Sequence, residues 1–468
     1  EQKQKYLPKL AVGEWAACYC LTEPDAGSDA NSGKTKATLT PDGKHYLING
    51  QKMWISNAGF ADLFIVFAKI EDDKNLTAFI VEKSFGGITM NEEEKKLGIK
   101  GSSTRQVFFN DCPVPVENML SERGNGFKIA VNILNIGRVK LGAGVLGGVR
   151  SVTSLSIKYS TDRKQFGVSI NTFGAIKSKL AEMATRIFAT ESLCYRAGQD
   201  IEDRMVALAE EGLPDAEAKL KALEQFAIEA AIAKVHGSEV LDYVVDQGVQ
   251  IYGGMGYSAD APMERAYRDA RISRIYEGTN EINRMLMVGM VLKRAMKGEI
   301  NLFEPAMAVA AELTSVPSFE SIDASELFAV EKDILKKLKK VFLMVGGKAA
   351  MSLQDRIEDE QEIMMNLADV MIEIYAAESA ILRAEKIALK DGEESAKNQI
   401  AMAKIYLYEA TDKIGASAKE AIVSFAKGDE QKVLLMGLKR FTKPDFINVK
   451  ELRRQVADYM IAQGKYPF

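Results

Sequence analysis

Apolar and polar residues alternate with a period of two over the first quarter of the chain. From about residue 15 to residue 116, short apolar runs are separated by turns that contain glycine, proline or aspartate. Alternation places successive side chains on opposite faces of a strand, so it predicts a small antiparallel β-sandwich or barrel. The predicted strands cover residues 15–21, 36–40, 45–48, 63–67, 77–81 and 106–109, of which the second and third form a hairpin.

From about residue 118 the apolar period changes to that of an α-helix, with apolar residues at steps of three and four. Short connections between such helices predict a bundle. No run approaches eighteen apolar residues, so we predict no transmembrane helix. The predicted helices cover residues 125–160, 174–212, 215–252, 262–274 and 280–297.

A second helical block is predicted after a break from Asn301 to Pro317. Its clearest apolar stripe is typical of core packing rather than of a cofactor site. The stripe consists of Ile363, Leu367, Val370, Met371, Ile374, Ile381 and Leu382.

The patterns together predict an α+β multidomain protein that is mainly α. Four parts are expected: the last helix of a missing N-terminal helical domain, a β-domain, a helical bundle and a C-terminal helical extension. These parts cover residues 1–13, 14–116, 117–298 and 299–468.

Composition excludes some classes of protein. Lys and Arg number 61 against 65 Asp and Glu, a net charge of −4 that argues against a protein built mainly to bind nucleic acid. Four cysteines and two histidines do not suit a His-rich metal site, so no metal is expected. The few cysteines indicate a reducing compartment.

One carboxylate, Glu277, lies at a Gly-Thr-Asn break between two helical patterns, within Arg274 to Arg284. Backbone N–H groups are free where the second helix begins, so they can meet an anion or a polarised oxygen. A carboxylate beside such donors suits proton abstraction next to a carbonyl. The alternative is a surface glutamate that pairs with Arg274.

Three further segments are candidates for ligand contacts. Gly142 to Gly147 fits a dinucleotide-binding pattern, but it continues a helical pattern, so we reject that site and expect close helix packing instead. The loop Thr22 to Asp29 could bind phosphates or a ring edge, or could be a plain connection. Trp54 and Ser56 share one strand face, which suits a flavin ring or, equally, a core tryptophan.

In combination these motifs resemble the acyl-CoA dehydrogenase family. Five signatures occur in the family's order and spacing over about residues 1–298. They are Tyr19 to Asp29, Trp54 to Asn57, Asp162 to Gly167, Gln250 to Gly256, and Ile275 to Thr279. The segment Asn132 to Arg138, Phe173-Gly174 and the long C-terminal extension most resemble the very-long-chain branch.

The resemblance implies an FAD site between the β-domain and the helical domain, with Glu277 as the catalytic base. The implied cofactor-binding residues are Tyr19, Leu21, Thr22, Gly27, Ser28, Trp54, Ser56, Arg163, Phe166, Gln250, Gly253, Gly254, Thr279 and Glu281. Of these, Arg163, Phe166, Gln250, Gly253 and Gly254 correspond to residues that reach the FAD of a neighbouring subunit. The implied substrate-binding residues are Ser28, Asn135, Arg138, Tyr276 and Gly278.

The resemblance also implies the reaction and the partners. A long-chain fatty acyl-CoA would become a trans-2-enoyl-CoA in fatty acid β-oxidation, and an electron-transfer flavoprotein would take the electrons. A homodimer is expected, because in the long-tailed branch the extension covers the face where short-tailed members form tetramers. The location would be the cytoplasm in a bacterium, or the mitochondrial matrix and inner membrane in a eukaryote. The alternatives are an acyl-CoA oxidase that uses O₂ and a low-turnover scaffold or assembly factor.

A basic amphipathic segment from Leu434 to Lys443 offers peripheral membrane contact through the C-terminal domain. A core helix with a solvated basic face is the favoured interpretation.

Overall fold

In a computed structural model of the chain, the structure describes residues 1–315, 323, 325–444 and 446–468. The chain divides into two compact units, Glu1–Leu134 and Asn135–Phe468. The first unit contains the strands of the sheet and the second is helical. The mainly α fold with a small β-rich part is therefore confirmed, and the finer division into four parts stays a prediction.

The first unit begins with helix α1 (Gln2–Ala11) and continues into one eight-stranded sheet. The strand order is β6-β7-β3-β2-β4-β5-β8, with β1 beside β4. The strands are β1 (Ala17–Cys20), β2 (Lys36–Leu39), β3 (His45–Ser56), β4 (Leu63–Ile70), β5 (Thr77–Glu82), β6 (Ile88–Met90), β7 (Thr104–Pro115) and β8 (Met119–Leu120).

The sheet is mixed, so the prediction of a purely antiparallel sheet is wrong. The β2–β3 hairpin is antiparallel as predicted, but β4 pairs in parallel with both β1 and β2. Parallel neighbours need a long crossover connection. The β2–β3 hairpin lies between β1 and β4 in the chain and provides that connection for β1. Alternation alone cannot distinguish the two pairings, because side chains alternate in both.

The second unit is built from long helices. The small two-stranded ribbon after the first of them consists of β9 (Lys164–Gln165) and β10 (Val168–Ser169). The helices are α2 (Gly126–Asp162, which begins in the first unit), α3 (Gly174–Glu210), α4 (Asp215–Gln225), α5 (Ala227–Tyr252), α6 (Gly254–Tyr257), α7 (Pro262–Ala270), α8 (Asn280–Met296), α9 (Phe303–Thr314), α10 (Ala329–Leu353), α11 (Gln361–Asp391), α12 (Lys397–Phe425), α13 (Gly428–Phe441) and α14 (Val449–Gln463).

Three helical predictions need correction. The single helix expected over 215–252 is interrupted at Phe226, whose ψ of 27° departs from helical geometry. The break from Asn301 to Pro317 contains helix α9, and Pro317 itself lies outside the described residues. The third prediction was that no helix could cross a membrane. Helix α2, at 37 residues, is long and apolar enough to do so by length and composition alone, a test that core helices of soluble proteins also pass.

The apolar stripe of α11 lies in the core of the helical unit, as predicted, with one exception. Ile363, Leu367 and Ile381 are 1–2% exposed, whereas Leu382 is 44% exposed. Leu382 follows Ile381 directly, and a step of one residue turns a helical side chain by about 100°. The side chain therefore points away from the face that the rest of the stripe forms.

Helix α13 also buries its apolar face. Leu434, Leu438 and Phe441 are at most 5% exposed, while Lys439 is exposed and Arg440 is partly buried. This burial favours the core interpretation of the segment over a membrane-surface helix.

A buried polar chain connects α5 to α3, α11 and α12. His236 contacts the hydroxyls of Thr190 (3.1 Å) and Tyr406 (2.8 Å) through its two ring nitrogens. The Tyr406 hydroxyl donates to Glu373 at 2.9 Å, and Lys413 donates to the same carboxylate at 2.9 Å. Burial lowers the pKa of His236 to about 4, so the imidazole is neutral near pH 7.

Candidate functional site

Glu277 lies in a left-handed turn between the 3₁₀ segment Arg271–Arg274 and α8, at the joint that the sequence predicts. Its φ is 59°, and that of Gly278 is 78°. A left-handed conformation costs a residue with a side chain about 1 kcal/mol, so surrounding contacts must hold Glu277 in place.

Donors from three helices hold this turn by its carbonyl groups. Arg138 Nε of α2 donates to the Glu277 carbonyl oxygen at 3.3 Å. Lys234 Nζ of α5 donates to the Gly278 carbonyl oxygen at 2.7 Å. Asn283 Nδ2 of α8 donates to the Gly278 and Thr279 carbonyl oxygens, both at 2.9 Å. Three successive carbonyl groups are thus bound by protein donors.

The N–H groups of the same turn remain available. Those of Glu277, Gly278 and Thr279 donate to no atom of the described residues. The Thr279 side chain caps α8 by accepting from Ile282 N at 3.3 Å. The turn therefore offers unpaired donors at a helix N-terminus, where a negative or polarised oxygen is stabilised.

The Glu277 carboxylate is half-buried, and it makes no hydrogen bond or ion pair with the part of the chain that the structure describes. Burial raises the pKa of Glu277, and the charges of Arg138 and Lys234 oppose that rise. The alternative of a surface pair with Arg274 is wrong, because Arg274 pairs with Asp242 at 3.1 Å. An unpaired carboxylate of raised pKa has the properties of a general base.

Gly137 provides the space that the carboxylate occupies. A Cβ at this position of α2 would lie 2.8 Å from the Glu277 carboxyl carbon and 3.1 Å from its Oε1. Such distances are too short for a real contact, so any side chain here would displace the carboxylate. Gly137 belongs to the predicted segment Asn132 to Arg138, but the sequence predictions gave this glycine no role in the site.

The predicted substrate residues Asn135 and Arg138 are both buried, at 3% and 4% exposed. Asn135 Oδ1 accepts from Arg138 Nη1 at 3.0 Å, so it orients the guanidinium toward the Glu277 carbonyl group. Arg138 therefore contacts the turn directly, and Asn135 acts on the turn through Arg138.

Lys234 and Asn280 form a polar layer beneath the turn that the sequence predictions also missed. Asn280 Oδ1 accepts from Lys234 Nζ at 2.6 Å, and its Nδ2 donates to Ser238 Oγ at 3.0 Å and Glu239 Oε1 at 3.1 Å. Arg284 binds Glu239 through two nitrogens, at 2.7 and 3.0 Å. The signal available in the sequence was a lysine within an apolar helical run. Such a position is expected to bury the lysine, and a buried lysine requires polar or charged partners.

Glu281 lies in the first turn of α8, with its carboxyl hydrogen-bonded to its own backbone N–H, which lowers its pKa. It is therefore ionised near pH 7. An anionic side chain repels a phosphate, so a phosphate contact at this residue would have to use the backbone.

An apolar groove of about 350 Å³ adjoins the turn at Tyr276. One wall is a face of α2 and the others come from α5, α7 and the segment before Glu277. Its lining residues are Leu141, Gly144, Val145, Gly148, Val152, Leu241, Val245, Ala266, Asp269, Ala270 and Tyr276. Its volume is in the range of small-molecule sites.

In the first unit, a buried ion pair holds the start of the Thr22–Asp29 loop. Lys52 Nζ donates to Glu23 Oε1 at 2.7 Å and to the carbonyl oxygens of Leu21 (3.2 Å) and Phe67 (2.7 Å). Burial opposes ionisation of Glu23, but Lys52, together with hydrogen bonds from Thr35 and Lys34, holds the pKa of Glu23 below its ordinary value. Lys52 lies four residues after Ile48 on β3, so alternation places both side chains on the same inward face of the strand. Sequence analysis could have used this signal.

The remainder of the loop is open. Glu23 and Ala26 close a tight turn through reciprocal backbone hydrogen bonds of 3.1 and 3.2 Å. Gly27 and Ser28 are exposed and Thr22 is half-buried. Tyr19 packs edge-on against Phe67, and the Leu21 side chain is buried, so a ligand contact from Leu21 would use its backbone.

Trp54 lies in a bulge of β3, where the pairing with β7 shifts between Lys52 and Ile55. Its φ is 60° and it is 53% exposed. Ile55 is buried and Ser56 is exposed, so Trp54 and Ser56 both face outward from the sheet core. The core alternative for Trp54 is wrong. Met53 N donates to the Thr22 carbonyl oxygen at 2.8 Å, which joins this bulge to the loop.

The remaining predicted residues lie away from Glu277. The exposed residues Gln250, Gly253 and Gly254 are at the end of α5. Gln250 follows Lys234 by sixteen positions of the helix, which is about 24 Å along its axis. Arg163 and Phe166 follow the end of α2.

These two motifs lie at the same end of the helical unit. Tyr159 of α2 stacks on Tyr252 of α5 with ring centroids 3.9 Å apart. Phe166 and Gly167 form the β9–β10 turn with φ values of 51° and 80°, and Phe166 is 94% exposed. An aromatic residue in this conformation, with its side chain in water, indicates a contact surface.

The segment Gly142 to Gly147 lies inside α2. This position supports the rejection of a dinucleotide-binding site, which would need the glycines in a turn between a strand and a helix. The packing expectation is correct for Gly142, where a Cβ would lie 2.8 Å from the Ala233 carbonyl oxygen. Gly144 and Gly147 have nothing within 4 Å of such an atom, so close packing does not explain them.

Comparison with known proteins gives consistent matches along the chain. Residues 18–112 match the family model described as the acyl-CoA dehydrogenase middle domain. Residues 124–292 and residues 337–440 match two models that are both described as the acyl-CoA dehydrogenase C-terminal domain.

Individual relatives extend over the whole chain. A "probable acyl-CoA dehydrogenase" of Bacillus subtilis (strain 168) is 45% identical over 466 residues, which is 100% of this chain and 78% of the relative. The human mitochondrial very long-chain specific acyl-CoA dehydrogenase is 37% identical over 94% of this chain and 68% of its own length. The crystal structure of an acyl-CoA dehydrogenase complexed with FAD from Bacillus anthracis has a TM-score of 0.96 and 44% identity, and the match covers 100% of this chain and 79% of that one.

Proposed function

Because this chain belongs to the acyl-CoA dehydrogenase family, we propose that it oxidises long-chain fatty acyl-CoA to the trans-2-enoyl-CoA in fatty acid β-oxidation. It is an oxidoreductase with FAD as its cofactor, and the proposed electron acceptor is an electron-transfer flavoprotein. The observation that carries the reaction is the unpaired, half-buried carboxylate of Glu277 beside free backbone N–H groups.

The chemistry of the turn supports removal of an α-proton. The substrate's thioester carbonyl would accept from the backbone N–H of Glu277, which stabilises the negative charge that forms on the oxygen. Glu277 then takes the α-proton as general base. Its raised pKa brings the base closer to working pH, which strengthens proton transfer.

FAD, when bound, supplies the acceptor for the hydride that leaves the β-carbon. The first unit presents donors that fit such a group: Thr22, Ser28 and Ser56 have hydroxyls that are at least partly open, and Trp54 exposes a flat indole. The strain at Trp54 supports a role in ligand contact, because an outward aromatic at φ 60° needs a compensating interaction.

The apolar groove supports a fatty acyl substrate. Its walls present Leu141, Val145, Leu241 and Val245, and its lining includes Tyr276, the residue before the proposed base. An aliphatic chain gains about 0.8 kcal/mol for each methylene that it buries. The likeness to a very long-chain specific relative supports the long-chain class.

A homodimer is part of the proposal. Phe166, Arg163 and the Gly253 turn lie at the end of the helical unit that is far from Glu277. The exposed and strained Phe166 is explained if, in a dimer, this surface of one chain contacts the FAD that the second copy of the chain binds. The bacterial relative supports a cytoplasmic location in a bacterium, and the human relative supports a mitochondrial one in a eukaryote.

Replacement of the base tests the function directly. Glu277→Gln should retain FAD but lose flavin bleaching by a long-chain acyl-CoA under anaerobic conditions, because an amide cannot accept the α-proton. Glu299→Gln, at an exposed carboxylate after α8, is the matched control and should bleach normally. Normal bleaching in Glu277→Gln would contradict the assignment of the base.

The acceptor and the turnover are measured in the same preparation. Reduced enzyme should be reoxidised rapidly by an electron-transfer flavoprotein and slowly by air. Fast release of hydrogen peroxide under air would identify an oxidase instead. Absence of bleaching by every chain length in FAD-loaded wild-type enzyme would favour the scaffold role.

A further inference from the structure

Lys234 is completely buried in α5, and its ammonium group lies beneath the Glu277–Gly278 turn. It donates to the Gly278 carbonyl oxygen at 2.7 Å and to Asn280 Oδ1 at 2.6 Å. One acceptor belongs to the turn and the other to the first residue of α8, so this side chain joins α5 to both.

We propose that Lys234 is a positioning residue for proton abstraction: its buried positive charge fixes the Glu277–Gly278 turn and favours the ionised form of the Glu277 carboxylate. The inference rests on the proposed function, because it concerns the same base.

The geometry requires an anchor of this kind. Glu277 and Gly278 both have left-handed φ angles, and a flexible turn would lose this conformation. Arg138 holds the Glu277 carbonyl group from α2, and Lys234 holds the next carbonyl group from α5. A cation on the Gly278 carbonyl oxygen also polarises that peptide group, which makes the Thr279 N–H a stronger donor.

Charged groups from the elements packed against Lys234 act on its ammonium group. Arg138 of α2 repels the ammonium, whereas Glu239 of its own helix, Glu281 of α8 and Glu277 attract it. Burial, followed by Arg138, lowers the pKa of Lys234 to about 8. The lysine is thus mostly protonated at pH 7 and loses its proton only one unit higher.

This places the lysine's titration within the range of an enzyme assay. The acid limb of the activity profile belongs to Glu277, which must be ionised. The basic limb belongs to Lys234, because its deprotonation replaces the charged donor that holds the Gly278 carbonyl oxygen by a weaker, neutral one. Both requirements are met only at pH values between the two limbs.

Lys234→Met in the FAD-loaded enzyme is the first test, with the rate of anaerobic flavin bleaching measured from pH 5.5 to 9.5. The variant should lose the basic limb, its acid limb should move up by about half a unit or more, and its maximal rate should fall roughly tenfold. Lys404→Met, which removes a partly buried lysine paired with Glu331 at 3.0 Å on distant helices, should keep both limbs.

Glu239→Gln is the second variant and keeps Lys234 in place. The Glu239 carboxylate raises the pKa of Lys234, so its neutralisation should move the basic limb to lower pH. Arg284 retains Asp369 as a partner at 2.7 Å, which limits the structural cost. A basic limb that stays in place in Glu239→Gln, or that persists in Lys234→Met, would overturn the proposal.

A stability measurement on the apoprotein separates this proposal from the proposed function. The unfolded chain binds a proton at Lys234 between its folded pKa of about 8 and its ordinary value of 10.5, so wild-type stability should rise with pH across that window. Lys234→Met should lack this part of the rise. If wild-type enzyme fails to bleach, the dehydrogenase function fails, whereas equal pH dependence of the two apoproteins would exclude the lowered pKa of Lys234 on which the basic limb depends.

Discussion

The carboxylate of Glu277 lies directly against Gly137, where a Cβ would come within 2.8 Å of the carboxyl carbon. The absent side chain on α2 is therefore a requirement for the position of the Glu277 carboxylate, the proposed base. The strongest test of the site is a substitution that adds one methyl group there.

Gly137→Ala should lower the rate of flavin bleaching by roughly ten- to a hundredfold, because the base is displaced from its reacting position. The same change should not weaken the helix, since alanine is favoured over glycine in a helix interior by about 1 kcal/mol. Stopped-flow bleaching, together with the flavin-to-protein ratio, measures the effect on chemistry apart from binding.

Gly147→Ala is the control on the same helix, because a Cβ at Gly147 meets nothing within 4 Å. It should keep full activity and raise the thermal midpoint slightly. Equal activity in the two alanine variants would contradict the claim that Gly137 makes space for the base.

Lys52→Met should destabilise the first unit by roughly 3–5 kcal/mol, because it leaves the Glu23 carboxylate buried without its cation. It should also weaken FAD binding, since Lys52 holds the carbonyl group that precedes Thr22. Both tryptophans, Trp15 and Trp54, belong to this unit, so urea unfolding followed by tryptophan fluorescence reports on it selectively.

The double variant Lys52→Met/Glu23→Gln should recover part of the lost stability, because the glutamine is uncharged and its one side-chain oxygen, at the position of Oε2, still accepts from the N–H groups of Lys34 and Thr35. A double variant less stable than Lys52→Met would show that the ion pair is not the source of the loss.

Acid should weaken the helical unit through His236. Its folded pKa of about 4 lies below the ordinary 6.5, so the unfolded chain binds more protons in this window and stability falls as pH falls from 6.5 toward 4. The contribution is roughly 3 kcal/mol for a shift of this size. Thermal unfolding followed by circular dichroism at 222 nm, at several pH values, measures it.

His236→Gln should flatten this acid dependence, although it lowers stability at pH 7 by removing a hydrogen bond to Tyr406. The chain has two histidines, so His45→Gln on the partly exposed β2–β3 hairpin is the natural control and should leave the slope unchanged. An unchanged slope in His236→Gln would assign the acid sensitivity to other groups.

Phe166→Asn should separate folding from cofactor retention. Asparagine tolerates the left-handed turn position better than phenylalanine, so the β9–β10 ribbon should not weaken. Loss of the exposed ring should nevertheless lower the flavin-to-protein ratio after gel filtration. Phe446→Asn removes another exposed ring, 87% exposed, and should leave the ratio unchanged.

Periodicity in the sequence determined most of the elements, because side-chain alternation and helical spacing depend only on neighbouring residues. The β2–β3 hairpin, the long helices and the core stripe of α11 all follow from such local patterns. The break at Glu277 is local too, since glycine and a capping threonine end one pattern and begin another.

Only the tertiary structure decided what surrounds that glutamate. Arg138 and Glu277 are 139 positions apart and Lys234 is 44 from Gly278, so no local pattern could predict that these side chains bind consecutive carbonyl groups of one turn. The parallel pairing of β4 and the ion pair between Lys52 and Glu23 were likewise set by long-range contacts. Sequence therefore predicted Glu277 as the base, and packing determined the cations and the glycine that surround its turn.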